Sequence, residues 1–376
     1  MKPRIRFLIN TLDGGGAEKV LLNLLHQMDP EAYDLSLVSI KGGAHEHTVP
    51  KFVKYRKIVT CKKASLRNLL AKVIQKLPPK LFAGLFLRGQ YDIEIAYLEG
   101  TATRFMAAKS TKGAKVAFVH CDVSVSNMIK PFYPSAAACL QEYQTFSKVC
   151  FVSKQGLAGF EGTYGVLKNG CVVHNVIDTA AILEKASQSA DRTYPERGLK
   201  LVTVGRLSAP KGYLRLMQIV AELEKQHDFE LWIVGEGEDR SALEQIIDEK
   251  KLRSVKLLGF HQNPYPYVKQ ADLFVCSSYS EGYSTAVTEA ILLDVPVLTT
   301  DCAGMDEILD GGKYGMIVEN SDEGLRQGLT ELLENPEALS RLKMAAEKRS
   351  QELSGRSAMG EYEALFHEIC TREVRA

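Results

Sequence analysis

The 376-residue chain is 45% hydrophobic and 25% charged, the balance of an ordinary soluble globular protein, which excludes disordered and collagen-like classes. Its length exceeds what one hydrophobic core organises, so two domains are expected. The formal net charge of +1 hides an asymmetry: residues 1–176 carry 24 Lys/Arg against 12 Asp/Glu, and the remaining 200 carry 23 against 34.

The opening MKPRIRFLIN is basic and then apolar like a signal peptide, but the apolar run lasts only from Phe7 to Ile9 before Asn10 and Asp13 interrupt it. It reads as a first buried strand. No uninterrupted apolar run approaches the roughly 18 residues that a spanning helix needs, so a cytoplasmic protein is expected. A helix follows from Ala17, with Val20, Leu21, Leu24, Leu25 and Met28 on one face. Between strand and helix lies Asp13-Gly14-Gly15-Gly16-Ala17-Glu18. A dinucleotide fingerprint would need a third glycine where Lys19 stands and an acid closing the second strand, where Ile40-Lys41 stands. The NAD reading therefore fails twice. Gly15 and Gly16 are left as a loop able to approach a phosphate or sugar at a helix start, or as a plain tight turn.

After the strand YDLSLVSI, the stretch from His47 to Tyr91 holds eleven Lys/Arg and no acid. Leu66, Leu69, Leu70, Val73, Ile74 and Leu77 recur there at helical spacing, followed by Leu81, Phe82, Leu85 and Phe86. A basic amphipathic stretch over 51–88 is an interfacial membrane signature. A hydrated face is the bland alternative, and a nucleic-acid contact would ignore the acidic C-terminal half. Strands YDIEIAYLEG, KVAFVHC and KVCFVS come next, with His120 closing the second of them; a satisfied core histidine is the alternative there. The eight cysteines show no C-x-x-C pair and no metal-type spacing. Cys121 follows His120, but neighbours on a strand face opposite sides, which disfavours a thiol nucleophile.

The pattern then restarts with the strand KLVTVGRL, a helix over Leu214 to Lys225, the strand FELWIVGEG, a helix over Arg240 to Glu249, and the strands SVKLLGF, DLFVCSS, VPVLTT and GMIV. This alternation predicts an α/β protein of two Rossmann-like, doubly wound domains, 1–177 and 199–355, joined by a linker at 178–198 that is helical at first and polar later. A ligand is expected in the crevice between them, at the carboxyl ends of the strands. Gly205-Arg206 and Lys211-Gly212 follow the restart strand. An arginine fork and a lysine point charge at one strand end suit a diphosphate, although alone they read as solvated cations. Further on, EGYSTAVTEA sets Glu281 before a helix start at Ser284 and Thr285, and Glu289 inside the helix. The first turn carries partial positive charge, favouring both acids and any bound anion.

Taken in order, GGGAEKV (14–20), FVH (118–120), VSK (152–154), HNVID (174–178), GRLSAPKG (205–212), IVGEGED (233–239), LLGF (257–260) and EGYSTAVTEA resemble glycosyltransferase family 4 across nearly the whole chain. The resemblance implies the GT-B fold and retaining transfer from a nucleotide sugar, with Glu281 and Glu289 in the places of the family's E-x7-E pair. It gives Glu281 to the donor sugar, the N–H groups around Ser284 and Thr285 to the phosphate, and Glu289 to the ribose hydroxyls. Arg206 and Lys211 then neutralise the leaving diphosphate, Gly15 and Gly16 lie against the donor, His120 contacts the sugar, and Gly205, Gly235, Gly237 and Phe260 line the donor pocket. No D-x-D triplet occurs, so no metal is expected and Arg206, Lys211 and the helix dipole must supply the positive charge. UDP is the expected nucleotide, with GDP the alternative, and the acceptor a surface or lipid-linked glycan at the inner face of a bacterial cytoplasmic membrane. A C-terminal helix, 356–376, is expected to pack back on the first domain. The rival readings are a nucleotide-sugar 2-epimerase or glycan phosphorylase of the same fold, and a non-enzymatic two-lobed sugar-binding protein.

Overall fold

The computed structural model describes residues 2–61, 63–195, 198–355 and 358–373, so Lys62 of the basic stretch and the ends of the 356–376 segment lie outside the described residues. Two compact units emerge, one formed by the chain through Ile177 together with the segment from Ala358, the other starting at Asp178.

The first unit is built on a seven-stranded sheet of order β3-β2-β1-β4-β5-β6-β7, from β1 (Arg4–Ile9), β2 (Asp34–Lys41), β3 (Lys54–Val59), β4 (Ile93–Ala96), β5 (Ala114–Val119), β6 (Lys148–Phe151) and β7 (Gly170–Val172). All neighbours run parallel. Successive side chains of a strand point to opposite faces. Phe7 and Ile9 accordingly meet Val20, Leu21 and Leu24 of the helix Gly16–Gln27, while Leu8 joins Phe82 and Phe105 on the other face. Burial on both faces is why these strands read as continuous apolar runs. One charged pair interrupts the core: Arg6 is register partner of Glu94 and forms a buried ion pair with it, its Nη1 donating to Arg88 O at 2.6 Å. The helix Met359–Glu373 buries Tyr362, Leu365, Phe366 and Ile369 in this core. Its Glu361 carboxylate accepts the His174 backbone N–H at 2.8 Å.

The basic stretch is not one amphipathic element. It contains the edge strand β3 and the helices Ala64–Gln75 and Pro79–Phe86. Phe82 is fully buried and stacks on Phe105 at 3.6 Å, with Ile74, Leu77 and Phe86 packed against that cluster. Leu66, Leu69, Val73, Leu81 and Leu85 remain 43–58% exposed. Lys54 pairs with Asp34 at 2.7 Å and Lys57 with Glu46 at 2.6 Å, so part of the positive charge is answered locally.

The second unit holds a six-stranded parallel sheet of order β10-β9-β8-β11-β12-β13, from β8 (Leu199–Val204), β9 (Phe229–Val234), β10 (Val255–Gly259), β11 (Leu273–Cys276), β12 (Val297–Thr300) and β13 (Met316–Val318). Asp178 caps the helix Thr179–Ala186 through the N–H of Ala181 at 3.0 Å. The segment after it, expected as a polar linker, packs onto this unit instead. Tyr194 stacks on Trp232 at 3.6 Å and its hydroxyl donates to Leu201 O at 2.7 Å, while Tyr267 donates to Asp191 at 2.6 Å. Buried aromatic area outweighs the polar composition of that stretch.

Candidate functional site

The candidate site lies at the carboxyl edge of the second sheet, where β8 and β11 are neighbours. The loop after β8 carries Arg206 and the short turn Ala209–Lys211. Gly212 then adopts φ +66°, and a side chain there would place Cβ 2.0 Å from Ser277 O. Only glycine permits that approach, which presses the loop after β8 onto the loop after β11. Ser277 Oγ donates to Lys211 O at 2.9 Å and the Tyr279 N–H to Pro210 O at 2.7 Å.

This stitching sets Lys211 Nζ 2.7 Å from Glu281 Oε1, with the side chains 28% and 10% exposed. Ser278 Oγ donates to the same carboxylate oxygen at 2.6 Å. Burial alone would lower the Lys211 pKa, but the adjacent Glu281 charge and its hydrogen bond outweigh this and hold the ammonium above its ordinary range. Lys211 is therefore a fixed cation and Glu281 an oriented anion. Just beyond, Ser284 caps the helix Thr285–Leu292, its hydroxyl accepting the Val287 N–H at 3.4 Å. The first N–H groups of a helix, here those of Thr285 and Ala286, have no intrahelical acceptor and face outward with the positive end of the dipole. Lys211, Ser278, Glu281, Ser284 and Ala286 line one small pocket of about 10 Å³, the room of a single water. Glu289 is buried within the same helix.

Arg206 stands apart from this pair. It is exposed, and its side chain makes no hydrogen bond or ion pair among the described residues. Gly235 and Gly237 are packing positions: Cβ atoms there would meet Gly205 O at 1.8 Å and Leu207 O at 2.2 Å. They let the ends of β8 and β9 close up, with Leu207 N–H donating to Glu236 O at 3.0 Å. Phe260 is a 59% exposed aromatic after β10.

In the first unit Gly15 is the N-cap of its helix and provides no capping side chain. His120 follows β5 and its backbone N–H is accepted by Glu99 at 2.9 Å. Its ring lies 4.9 Å from that of Tyr97, and its Nε2 is buried without a hydrogen-bond partner among the described residues. Burial pushes the imidazole pKa down to about 3, so the ring is neutral. Cys121 stays a thiol, since burial first and the Glu99 charge second raise its pKa. Sequence reasoning missed Glu99, although YLEG at a strand end was a visible signal, and it missed Arg215, which sits on a core-facing helix position.

Among the described residues no group of three or more His, Cys, Asp or Glu side chains is arranged to hold a metal ion, and no helix is long and apolar enough to cross a membrane. A larger cavity of about 770 Å³ opens at the opposite, amino edge of the second sheet, lined by Gly198, Asp228, Asp272 and Pro296. None of the site residues reaches it.

Residues 184–349 match the family described as glycosyl transferases group 1. Over 374 residues, 93% of this chain and 95% of the relative, the sequence is 27% identical to the N-acetylgalactosamine-N,N'-diacetylbacillosaminyl-diphospho-undecaprenol 4-alpha-N-acetylgalactosaminyltransferase of Campylobacter jejuni. It is 29% identical over 155 residues, 41% of this chain and 44% of the relative, to the lipopolysaccharide core biosynthesis glycosyltransferase LpsD of Rhizobium meliloti. The crystal structure of Anabaena HepE in complex with UDP-glucose superposes with a TM-score of 0.70 at 20% identity, covering 98% of this chain and 100% of that one. Two parallel sheets of seven and six strands in this order, with these similarities, make the chain a glycosyltransferase of GT-B fold, residues 184–349 of its C-terminal unit being similar to the group 1 transferases.

Proposed function

We propose that this glycosyltransferase moves a hexose or N-acetylhexosamine from a UDP-sugar to a lipid-linked glycan in bacterial surface polysaccharide synthesis, retaining the anomeric configuration and using no metal. The observation that carries this reading is the Lys211–Glu281 pair, 2.7 Å apart beside a serine-capped helix start at a strand edge. A fixed cation and free helical N–H groups offer a diphosphate what a metal otherwise supplies. In this reading Lys211 and Arg206 neutralise the departing phosphate, the N–H groups at Thr285 and Ala286 hold it, and Glu281 orients the sugar hydroxyls. Glu289 takes the ribose, and Phe260 with Gly205, Gly235 and Gly237 shapes the pocket wall. In the first unit the neutral His120 ring is a hydrogen-bonding contact for sugar, and the Gly15-Gly16 turn allows close approach of a ligand. The acceptor attacks on the face the leaving group departs from, its proton passing to the phosphate oxygen.

The acceptor class is supported by the activity of the Campylobacter relative on a diphospho-undecaprenol saccharide, and the donor class by UDP-glucose in HepE. Exposed Leu66, Leu69, Val73, Leu81 and Leu85 beside Lys63, Lys72 and Lys76 support docking of the first unit on an anionic cytoplasmic membrane face. UDP release from UDP-glucose, UDP-N-acetylglucosamine and UDP-N-acetylgalactosamine, with and without a polyprenyl-diphosphate saccharide and a chelator, tests the reading. Acceptor-stimulated release in chelator is the expected result.

A further inference from the structure

We infer that Arg215 is a positioning residue for the transfer, acting on Glu281 through the loop that carries it; this rests on the reading of Glu281 as a donor-site residue. Arg215 belongs to the helix Tyr213–Leu223 and is 4% exposed. A guanidinium removed this far from water costs free energy unless its donors are answered. No carboxylate answers it closely: the nearest ion-pair contact is Asp322 Oδ1 at 4.0 Å, and Nη1 has no hydrogen-bond partner among the described residues.

Its acceptors are instead the loop after β11. Nε and Nη2 donate to Ser277 O at 2.9 and 2.7 Å, and Nη2 also to Ser278 O at 2.7 Å. Nη2 reaches Asn320 Oδ1 at 2.9 Å, and Asn320 Nδ2 in turn donates to Tyr279 O at 3.0 Å. The guanidinium lies 3.8 Å from the Tyr279 ring centroid. Three successive residues, Ser277 to Tyr279, are thereby held by one planar fork, a geometry that a lysine point charge does not reproduce. The next link is the Ser278 hydroxyl on Glu281 Oε1 at 2.6 Å. A leucine would fill the same helical core position, so packing alone does not account for the arginine. Fixing the loop that aims Glu281 at Lys211 does.

The test is a double-mutant cycle on UDP release from whichever of UDP-glucose, UDP-N-acetylglucosamine and UDP-N-acetylgalactosamine the wild-type protein turns over fastest. Arg215→Lys should lower kcat by about 100-fold, the scale of an ångström-sized misplacement, with the thermal transition retained. In a Glu281→Gln background the same change should cost no more than about twofold, because both substitutions remove one interaction. Losses that multiply, with Glu281→Gln itself impaired, would overturn the assignment and leave the proposed function standing. A fully active Glu281→Gln variant would overturn both. Should Arg215→Lys fail to fold, Asn320→Ala, which frees one acceptor of the guanidinium and the Tyr279 carbonyl, enters the same cycle with the same two readings.

Discussion

Lys211 Nζ and Ser278 Oγ converge on one oxygen of Glu281, at 2.7 and 2.6 Å. That convergence gives the carboxylate a fixed direction and the ammonium a raised pKa, so the lysine remains charged below its shifted value and would lose its proton only as the pH rises through it. Replacing Lys211 with alanine should cost about 2 to 4 kcal/mol of transition-state stabilisation, the scale of one preorganised electrostatic donor. Steady-state kcat with a UDP-sugar measures this, and the wild-type profile should show no loss from Lys211 deprotonation below pH 10.

Glu289, buried one turn into the helix that Ser284 caps, is assigned to the nucleotide and not to the chemistry. Glu289→Ala should weaken UDP binding by tenfold or more in calorimetry, about 1.4 kcal/mol or above. Glu281→Gln should leave UDP affinity within about twofold while depressing turnover. Unchanged UDP affinity in Glu289→Ala would remove that assignment.

The His120 ring is neutral in the fold because burial lowers its pKa to about 3. The unfolded chain takes the proton near pH 6.5, so the stability this group confers is complete above that value and declines as pH falls toward 3, by up to about 1.4 kcal/mol per pH unit. In an NMR titration the His120 ring signals should stay constant between pH 8 and pH 5. A midpoint near 6.5 would show the ring to be solvated and open to protonation.

How much of this was legible beforehand differs by residue type. The strands buried on both faces announced themselves as apolar runs, and Gly205 to Gly212 with Glu281 to Glu289 pointed to the candidate site by their order. β3 escaped because its KYRKIV sequence is an edge strand with only Val59 buried, and β7 because three residues give no period. The inward turn of Phe82 was hidden by helical spacing that fits either face, and only contact with Phe105 decides it. Arg6, Glu94 and Arg215 were invisible as core residues, because a charged side chain reads as surface until its partners, 88 and 62 residues away, are in place. The sequence likewise placed Arg206 and Lys211 together, whereas only Lys211 is drawn into the carboxylate cluster.

The buried pair Arg6–Glu94 makes a stability prediction. Arg6→Met leaves Glu94 charged in the core and should destabilise the first unit by about 3 to 5 kcal/mol, whereas Arg6→Met with Glu94→Leu should recover most of it. Denaturant melts of the three proteins compare these directly.

Membrane docking predicts a charge and salt signature. Each engaged Lys or Arg near an anionic surface contributes about 1 kcal/mol. Sedimentation with anionic vesicles should therefore capture the protein, fade in high salt, and fall when Lys63, Lys72 and Lys76 become glutamate or when Leu69 and Val73 become serine. Equal sedimentation with neutral vesicles would detach the basic stretch from this role.

The most direct test of the central claim is transfer from a UDP-sugar to a polyprenyl-diphosphate saccharide in excess EDTA, with the anomeric configuration of the product read by NMR. Acceptor-dependent transfer should be undiminished by the chelator, retain the donor's α configuration, and be strongly depressed but measurable in Lys211→Ala and Glu281→Gln. Transfer that appears only on adding magnesium or manganese, or a product of inverted configuration, would contradict it.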